Sequence, residues 1–124
     1  MRKFVLVALL LALLGCSKPP QLSTALDVEK KADDLIVLKL KIVNLENRPT
    51  TPIAVELLGQ ARSQGHWDKP ASLLNPAAFV LNRKEQREIT KFWRIRADTV
   101  RTTLVLKEQE TGRLIKTEKT EKNW

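Results

Sequence analysis

"LIVLKLKIVNL", residues 35–45, is the stretch that decides the fold. Ile36, Leu38, Leu40 and Ile42 fall on one face, and Lys39 and Lys41 interrupt the other. A period of two with β-branched residues is the pattern of a half-buried strand. Working back, Leu26 and Val28 fit a preceding strand, with Ala32-Asp33-Asp34 as the turn between the two. Working forward, "NLENRPTTP" (44–52) reads as a loop from its Asn and Pro content.

The next segment is ambiguous. Ile53, Val55 and Leu57 alternate before Gly59, as a strand would. Equally, Thr51 could cap and Pro52 could start a short helix through Ala61, because Ala, Glu and Leu are good helix formers. Residues 62–76, with Gly65, Pro70 and Pro76, read as a long loop with one short edge strand around Trp67. The β signal then returns. Ala78 to Leu81 is short and apolar, and Asn82 to Gln86 is a polar turn. In "REITKFWRIR" (87–96), Ile89, Trp93 and Ile95 share a face, with Phe92, Arg94 and Arg96 opposite. Val100, Thr102, Leu104 and Leu106 alternate next. Glu110-Thr111-Gly112 supplies a turn, and the charged stretch 113–120 reads as an exposed edge strand. About seven short strands in about 100 residues predict an antiparallel immunoglobulin-like β-sandwich. The alternative is an α+β fold with a short helix at 52–61.

The amino terminus carries a different message. Met1-Arg2-Lys3 is basic, and Phe4 to Leu14 is unbroken apolar sequence. Eleven helical residues at ~1.5 Å each reach only about half of a ~30 Å hydrocarbon core. A basic start, a short apolar run and the small residue Gly15 make a secretory signal peptide. Leu13-Leu14-Gly15-Cys16 resembles the lipobox of bacterial lipoproteins. That resemblance, over residues 1–16, implies cleavage before Cys16, a diacylglycerol on its thiol and an acyl chain such as palmitate on its new amino group. Two or more chains give anchoring that one cannot. Ser17 stands where lipoproteins retained in the inner membrane of enterobacteria tend to carry aspartate. The implied destination is the outer membrane, on the periplasmic side of its inner leaflet. The expected organisation is a signal peptide (1–15), a lipidated cysteine with tether (16–24) and one β-sandwich domain (25–124).

The whole chain has 124 residues and a net charge of +8. Losing residues 1–15 removes Arg2 and Lys3 and no acid, which leaves +6. Residues 83–124 carry 12 basic and 7 acidic side chains, so the excess lies in the C-terminal half. A basic exported domain beside a membrane meets anionic headgroups, lipopolysaccharide phosphates or acidic proteins. Nucleic acid is not an expected partner in that compartment. The same lysines also suit a plain solvated strand face.

Catalytic signatures are missing from the sequence. His66 is the sole histidine, and no carboxylate spacing around it suggests a metal site. With Asp68 nearby, it leaves a His–Asp pair or an ordinary surface loop. The one thiol, Cys16, is consumed by lipid. No serine lies in a strand–turn–helix elbow, and no glycine-rich phosphate cradle is present. The expectation is a protein that is not an enzyme, with no cofactor, no metal and no small-molecule substrate.

Two stretches are candidates for binding. In "KFWRIR" (91–96), an inward Trp93 puts Phe92 outward beside Arg94 and Arg96, a plausible anchor for a partner or an anionic headgroup. Alternatively, Phe92 packs under a loop or the tether. In Gly65-His66-Trp67, the tryptophan is either a loop anchor or a plug at one end of the core. Small exported sandwiches of this kind resemble accessory proteins of envelope assemblies, such as the lipoprotein of type VI secretion. The strand rhythm of 79–115 resembles the chaperone-like inhibitor of curli subunits. The paired cysteines of some of those inhibitors have no counterpart here, so no redox role carries over. The expected function is a lipid-anchored, periplasmic, non-catalytic module that binds an envelope protein by edge-strand pairing or through a loop. The alternative is a structural surface lipoprotein that meets lipopolysaccharide or peptidoglycan through its basic half.

Overall fold

A computed structural model describes residues 20–124. The signal peptide, the lipobox and Cys16 lie outside the described residues. Eight strands form two antiparallel sheets: β1 (Leu22–Ala32), β2 (Leu35–Asn44), β3 (Ile53–Ser63), β4 (His66–Trp67), β5 (Ala71–Leu74), β6 (Gln86–Trp93), β7 (Thr99–Glu108) and β8 (Leu114–Asn123). One sheet has three strands in the order β1-β2-β6. The other has five, ordered β4-β3-β7-β8, with β5 also paired to β3. This is an immunoglobulin-like sandwich, with no helix among the described residues.

The 35–45 pattern does what its period requires. Ile36, Leu38, Leu40 and Ile42 are buried while Lys39 and Lys41 are exposed. Leu26 and Val28 of β1 lie opposite Leu40 and Leu38 and complete the same inner face. Facing them across the core are Ile53, Val55, Leu57 and Ala61 of β3 and Val100, Leu104 and Leu106 of β7.

The 52–61 segment is a strand, which removes the helical alternative. β3 pairs with β7 from Ile53 opposite Glu108 to Arg62 opposite Thr99. Every second residue from Ile53 to Ala61 is buried. Ten residues of pairing with one face in the core outweigh the modest helix propensity of Ala, Glu and Leu.

Other boundaries differ from expectation. Residues 62–76 hold the short edge strand expected around Trp67, as β4, but the rest is not a long loop. Gln64 (φ 53°) and Gly65 (φ 80°) both have positive φ between Ser63 and His66, which pair, and this is a two-residue hairpin turn. β5 follows and sends Leu73 into the core. β1 begins at Leu22, so residues 22–24, expected in the tether, are already paired with β2. β6 ends at Trp93 because the chain must then cross to the other sheet. Ile95 still packs against the core from within that crossing. Ala78–Leu81 is not a strand either: Phe79 makes a single bridge to Ile53, and Leu81 is buried.

Two polar features organise the end where the chain enters the domain. Asn44, fully buried, donates from Nδ2 to the carbonyls of Arg48 (2.8 Å) and Asn82 (3.0 Å), and its Oδ1 accepts from Glu46 N–H (3.0 Å). Nearby, Thr50 N–H donates to the Leu81 carbonyl (2.8 Å), and Leu81 N–H donates to Thr50 Oγ1 (2.9 Å). Together they tie loop 45–52 to loop 75–85. At the same end Glu108, almost buried, accepts from Arg113 Nε (2.8 Å) and closes the β7–β8 hairpin, whose turn uses Gly112 at φ 69°.

Two of the edge strands, β6 and β8, carry charges where a core strand would carry aliphatics. On β8, Lys116, Glu118 and Lys122 lie opposite Leu106, Leu104 and Val100 and so point to the inner side. Glu118 Oε2 accepts from Thr24 Oγ1 of β1 (2.8 Å), which bridges the two sheets at this border. On β6 the inward Arg87 sits over the Phe79 ring, 4.2 Å from its centroid. Inward charges on edges resist the addition of a foreign strand.

Candidate binding surface

The register gives the sandwich two distinct ends. Leu22, where β1 begins, lies opposite Asn44 at one end. At the other end lie the Asp33-Asp34 turn, the 94–98 crossing, the Gln64-Gly65 turn and Trp124, whose N–H donates to the Asp98 carbonyl (2.9 Å). Lys30 of β1 ties to the crossing there: its Nζ donates to the Ala97 carbonyl (3.2 Å) and lies 6.0 Å from the Trp124 ring centroid.

Both stretches singled out in the sequence fall at this second end. In "KFWRIR", alternation resolves as one of its two readings required. Trp93 turns inward and packs on the core, whereas Phe92 points out of the three-stranded sheet with 62% of its surface exposed. Phe92 lies opposite Val37, which in turn lies opposite Glu29, so its ring stands at the open edge of that outer face. Arg94 and Arg96 are exposed in the crossing that follows, and neither forms an ion pair among the described residues. Close by, Lys31 donates a hydrogen bond to Glu29 (2.6 Å); this pair holds the Glu29 carboxyl below its ordinary range and the Lys31 amine above its own.

The second stretch takes a different form from a loop. Trp67 lies on β4 opposite Arg62, on the outer face of the five-stranded sheet, so it does not plug the core. The Arg101 guanidinium sits 3.9 Å from its ring centroid, and that of Arg62 lies 5.5 Å away. His66 is exposed on the hairpin beside it and makes no hydrogen bond or ion pair with Asp68 among the described residues. Instead, Asp68 N–H donates to the Ala61 carbonyl (2.8 Å), and the Asp68 carbonyl accepts from Gln60 Nε2 (2.9 Å).

The two stretches sit on opposite outer faces, and the 94–98 crossing links them. Asp98 N–H donates to the Arg62 carbonyl (3.0 Å), and Arg62 Nε reaches Asp98 Oδ1 (3.4 Å). This end thus carries Arg94 and Arg96 in the crossing and, on the face beyond it, Arg62 and Arg101, which face Asp98 and Glu121. Arg62 and Arg101 escaped the sequence reading. Their alternation puts them on an outer face, but only the β3–β7 and β3–β4 registers bring both to one tryptophan.

Beyond Arg101 the same face forms an open concavity of about 510 Å³. Leu58, Gln60, Pro70, Arg101, Thr103 and Lys119 contribute to its lining. Among the described residues no three His, Cys, Asp or Glu side chains converge as a metal site would need.

No family model and no curated protein matches the chain. Its fold does match solved structures. The CARDB domain of PF1109 from Pyrococcus furiosus shares a TM-score of 0.58 at 15% identity, over 86% of this chain and 95% of that one. The putative ApaA protein from Bordetella pertussis gives 0.55 at 14% identity, over 84% and 94%. The alkylpurine DNA glycosylase AlkC from Pseudomonas fluorescens gives 0.55 at 18% identity; it covers 90% of this chain, which spans about a third (33%) of the glycosylase. At these identities the likeness is one of fold alone, and the fold it supports is the immunoglobulin-like sandwich predicted from the strand rhythm.

Proposed function

We propose that this protein is a lipid-anchored, non-catalytic protein-binding module of the bacterial envelope, an accessory or assembly factor exported through residues 1–15 and acylated at Cys16. In this reading it sits on the periplasmic side of the outer membrane. One observation carries the binding role: the domain has a polarity. The chain enters at the Asn44 end, whereas exposed Phe92 and the cations Arg94 and Arg96 occupy the opposite end. From Cys16 to Leu22 an extended chain spans at most ~20 Å. The 11 residues of β1 run about 35 Å. An acylated Cys16 therefore holds the Asn44 end near the bilayer and turns the aromatic–cationic end towards the aqueous space.

The inward charges on β8 and β6 disfavour strand addition at those two edges, one of the two routes expected from sequence, and this reading takes recognition through the Phe92 end instead. An exposed aromatic flanked by arginines is the composition of an interface anchor: the ring supplies desolvated area, and the cations steer and align.

The test is capture from cross-linked envelopes with the lipidated wild type, a Cys16→Ala form and a Phe92→Ala/Arg94→Gln/Arg96→Gln variant, at low and high salt. The expected result is one defined envelope protein with the wild type, persisting in high salt, and at least tenfold less of it with the triple variant. Recovery only of bulk anionic envelope material, lost in high salt and equal for both, contradicts the proposal. That outcome belongs to a charge-driven surface lipoprotein.

A further inference from the structure

On the outer face of the five-stranded sheet Arg101 has an unusual setting. Its guanidinium lies over Trp67, 3.9 Å from the ring centroid. Its nearest acid, Glu121, is 3.6 Å from Nε, and both side chains are about half exposed. Among the described residues the Arg101 guanidinium makes no hydrogen bond. The ring holds the guanidinium while Glu121 faces Nε, and the terminal N–H groups, without a hydrogen-bond partner among the described residues, are able to take a carboxylate.

A second cation stands at a defined distance. Arg101 lies opposite Glu121 on β8, and Lys119 lies two residues before Glu121 on the same face. Diagonal neighbours of this kind have Cβ atoms ~7–8 Å apart. Lys119 forms no ion pair among the described residues. The floor between the two cations includes Thr103, with Leu58 beside it and Pro70 at the border, in a concavity of about 510 Å³. That is room for a few residues of peptide, with apolar surface to cover and two cations against the single acid, Glu121, that also lines it.

We infer that this face binds an extended acidic segment of a partner protein, with carboxylates at positions i and i+2 received by Arg101 and Lys119. The spacing is the argument. In an extended chain, side chains at i and i+2 share a face and lie ~7 Å apart, which matches the spacing of the two diagonal backbone positions that carry Arg101 and Lys119. The inference rests on the binding-module reading and names the chemistry of the partner. It also makes Trp67 a positioning residue, since the ring orients the guanidinium that meets the ligand.

The experiment uses fluorescence polarisation with a labelled peptide in which Glu and Ala alternate, against peptides of equal length with Gln for Glu and with the same Glu residues grouped in a block. The expected order has the alternating peptide tightest and the Gln peptide without measurable binding. Arg101→Gln weakens the alternating peptide about ten- to a hundredfold, as loss of a charged hydrogen-bonded pair does. Arg101→Lys also weakens it about tenfold, because lysine keeps the charge but neither stacks nor forks. Arg101 is on an outer face, so circular dichroism should stay native in both variants. Equal binding of alternating and block peptides, or unchanged affinity in Arg101→Gln, overturns the inference. Envelope capture that succeeds while the alternating peptide fails removes this groove and leaves the binding module standing; the converse removes the partner reading instead.

Discussion

Replacing Asn44 with alanine is expected to cost about 3 kcal/mol of stability and to lower the melting temperature by about 15 °C. Asn44 is wholly buried, and its amide holds two loops through the carbonyls of Arg48 and Asn82 and the N–H of Glu46. Removing it strands those backbone groups. A buried group left without a partner costs ~1–3 kcal/mol, whereas a bond exchanged for water costs about 1. Arg48 lies at the surface and can recover a water, so the loss is smaller than the sum over all three groups. Urea unfolding followed by circular dichroism gives the measurement. A loss under 1 kcal/mol would mean that solvent replaces the side chain and that loops 45–52 and 75–85 do not depend on it.

Gly59→Val is the second large effect, and its cause is steric. Gly59 sits on the inner face of β3, where the alternation would otherwise place a large side chain. A Cβ there would meet Leu73 Cδ1 at 2.4 Å, and Leu73 Cγ and Trp93 Cη2 at 3.0 Å. The Leu73 methyl can swing, but it is 7% exposed and confined, and the indole of Trp93 cannot bend. Forcing extra carbons into a packed core costs ~1–3 kcal/mol, and valine at this spot belongs at the upper end despite its strand preference. Gly59→Ala should cost less, since only Leu73 must shift far. Unfolding curves rank the two. The emission of Trp93 should redden in Gly59→Val as its ring is pushed from its seat on β3. A valine variant as stable as wild type would show that Leu73 and Trp93 are loosely packed.

Gly59 also shows where the sequence stops being readable. A glycine after the alternation of Ile53, Val55 and Leu57 read as the end of a strand or as one position of a helix through Ala61. Its reason for being there is a tryptophan 34 positions later, on the other sheet. The strand rhythm itself was legible wherever one face is apolar and the other charged, as in 35–45 and 99–108, because burial on one side imposes a period of two. It failed where partners decide. Gln64-Gly65 lacks the usual Asn-Gly or Asp-Gly signature, so a two-residue hairpin passed for a loop. Ile95 continues the inward pattern of Ile89 and Trp93 but lies in a crossing, which no local pattern reveals. For the candidate surface, alternation set out both options for Phe92, and the exposed one holds. The Trp67–Arg62–Arg101 stack was hidden, because it depends on cross-strand register rather than on spacing along the chain.

The proposed role depends on the polarity of the domain, which would set the membrane at the Asn44 end and a protein partner at the Phe92 end. Photocrosslinking in intact envelopes tests this most directly, with a photoreactive residue placed at position 92 or at exposed position 47 of the lipidated protein. The expected result is a discrete protein adduct from position 92 that survives high salt, and none of that adduct from position 47. Position 92 crosslinking to lipid of the anchoring membrane, or both positions giving the same adducts, would contradict it.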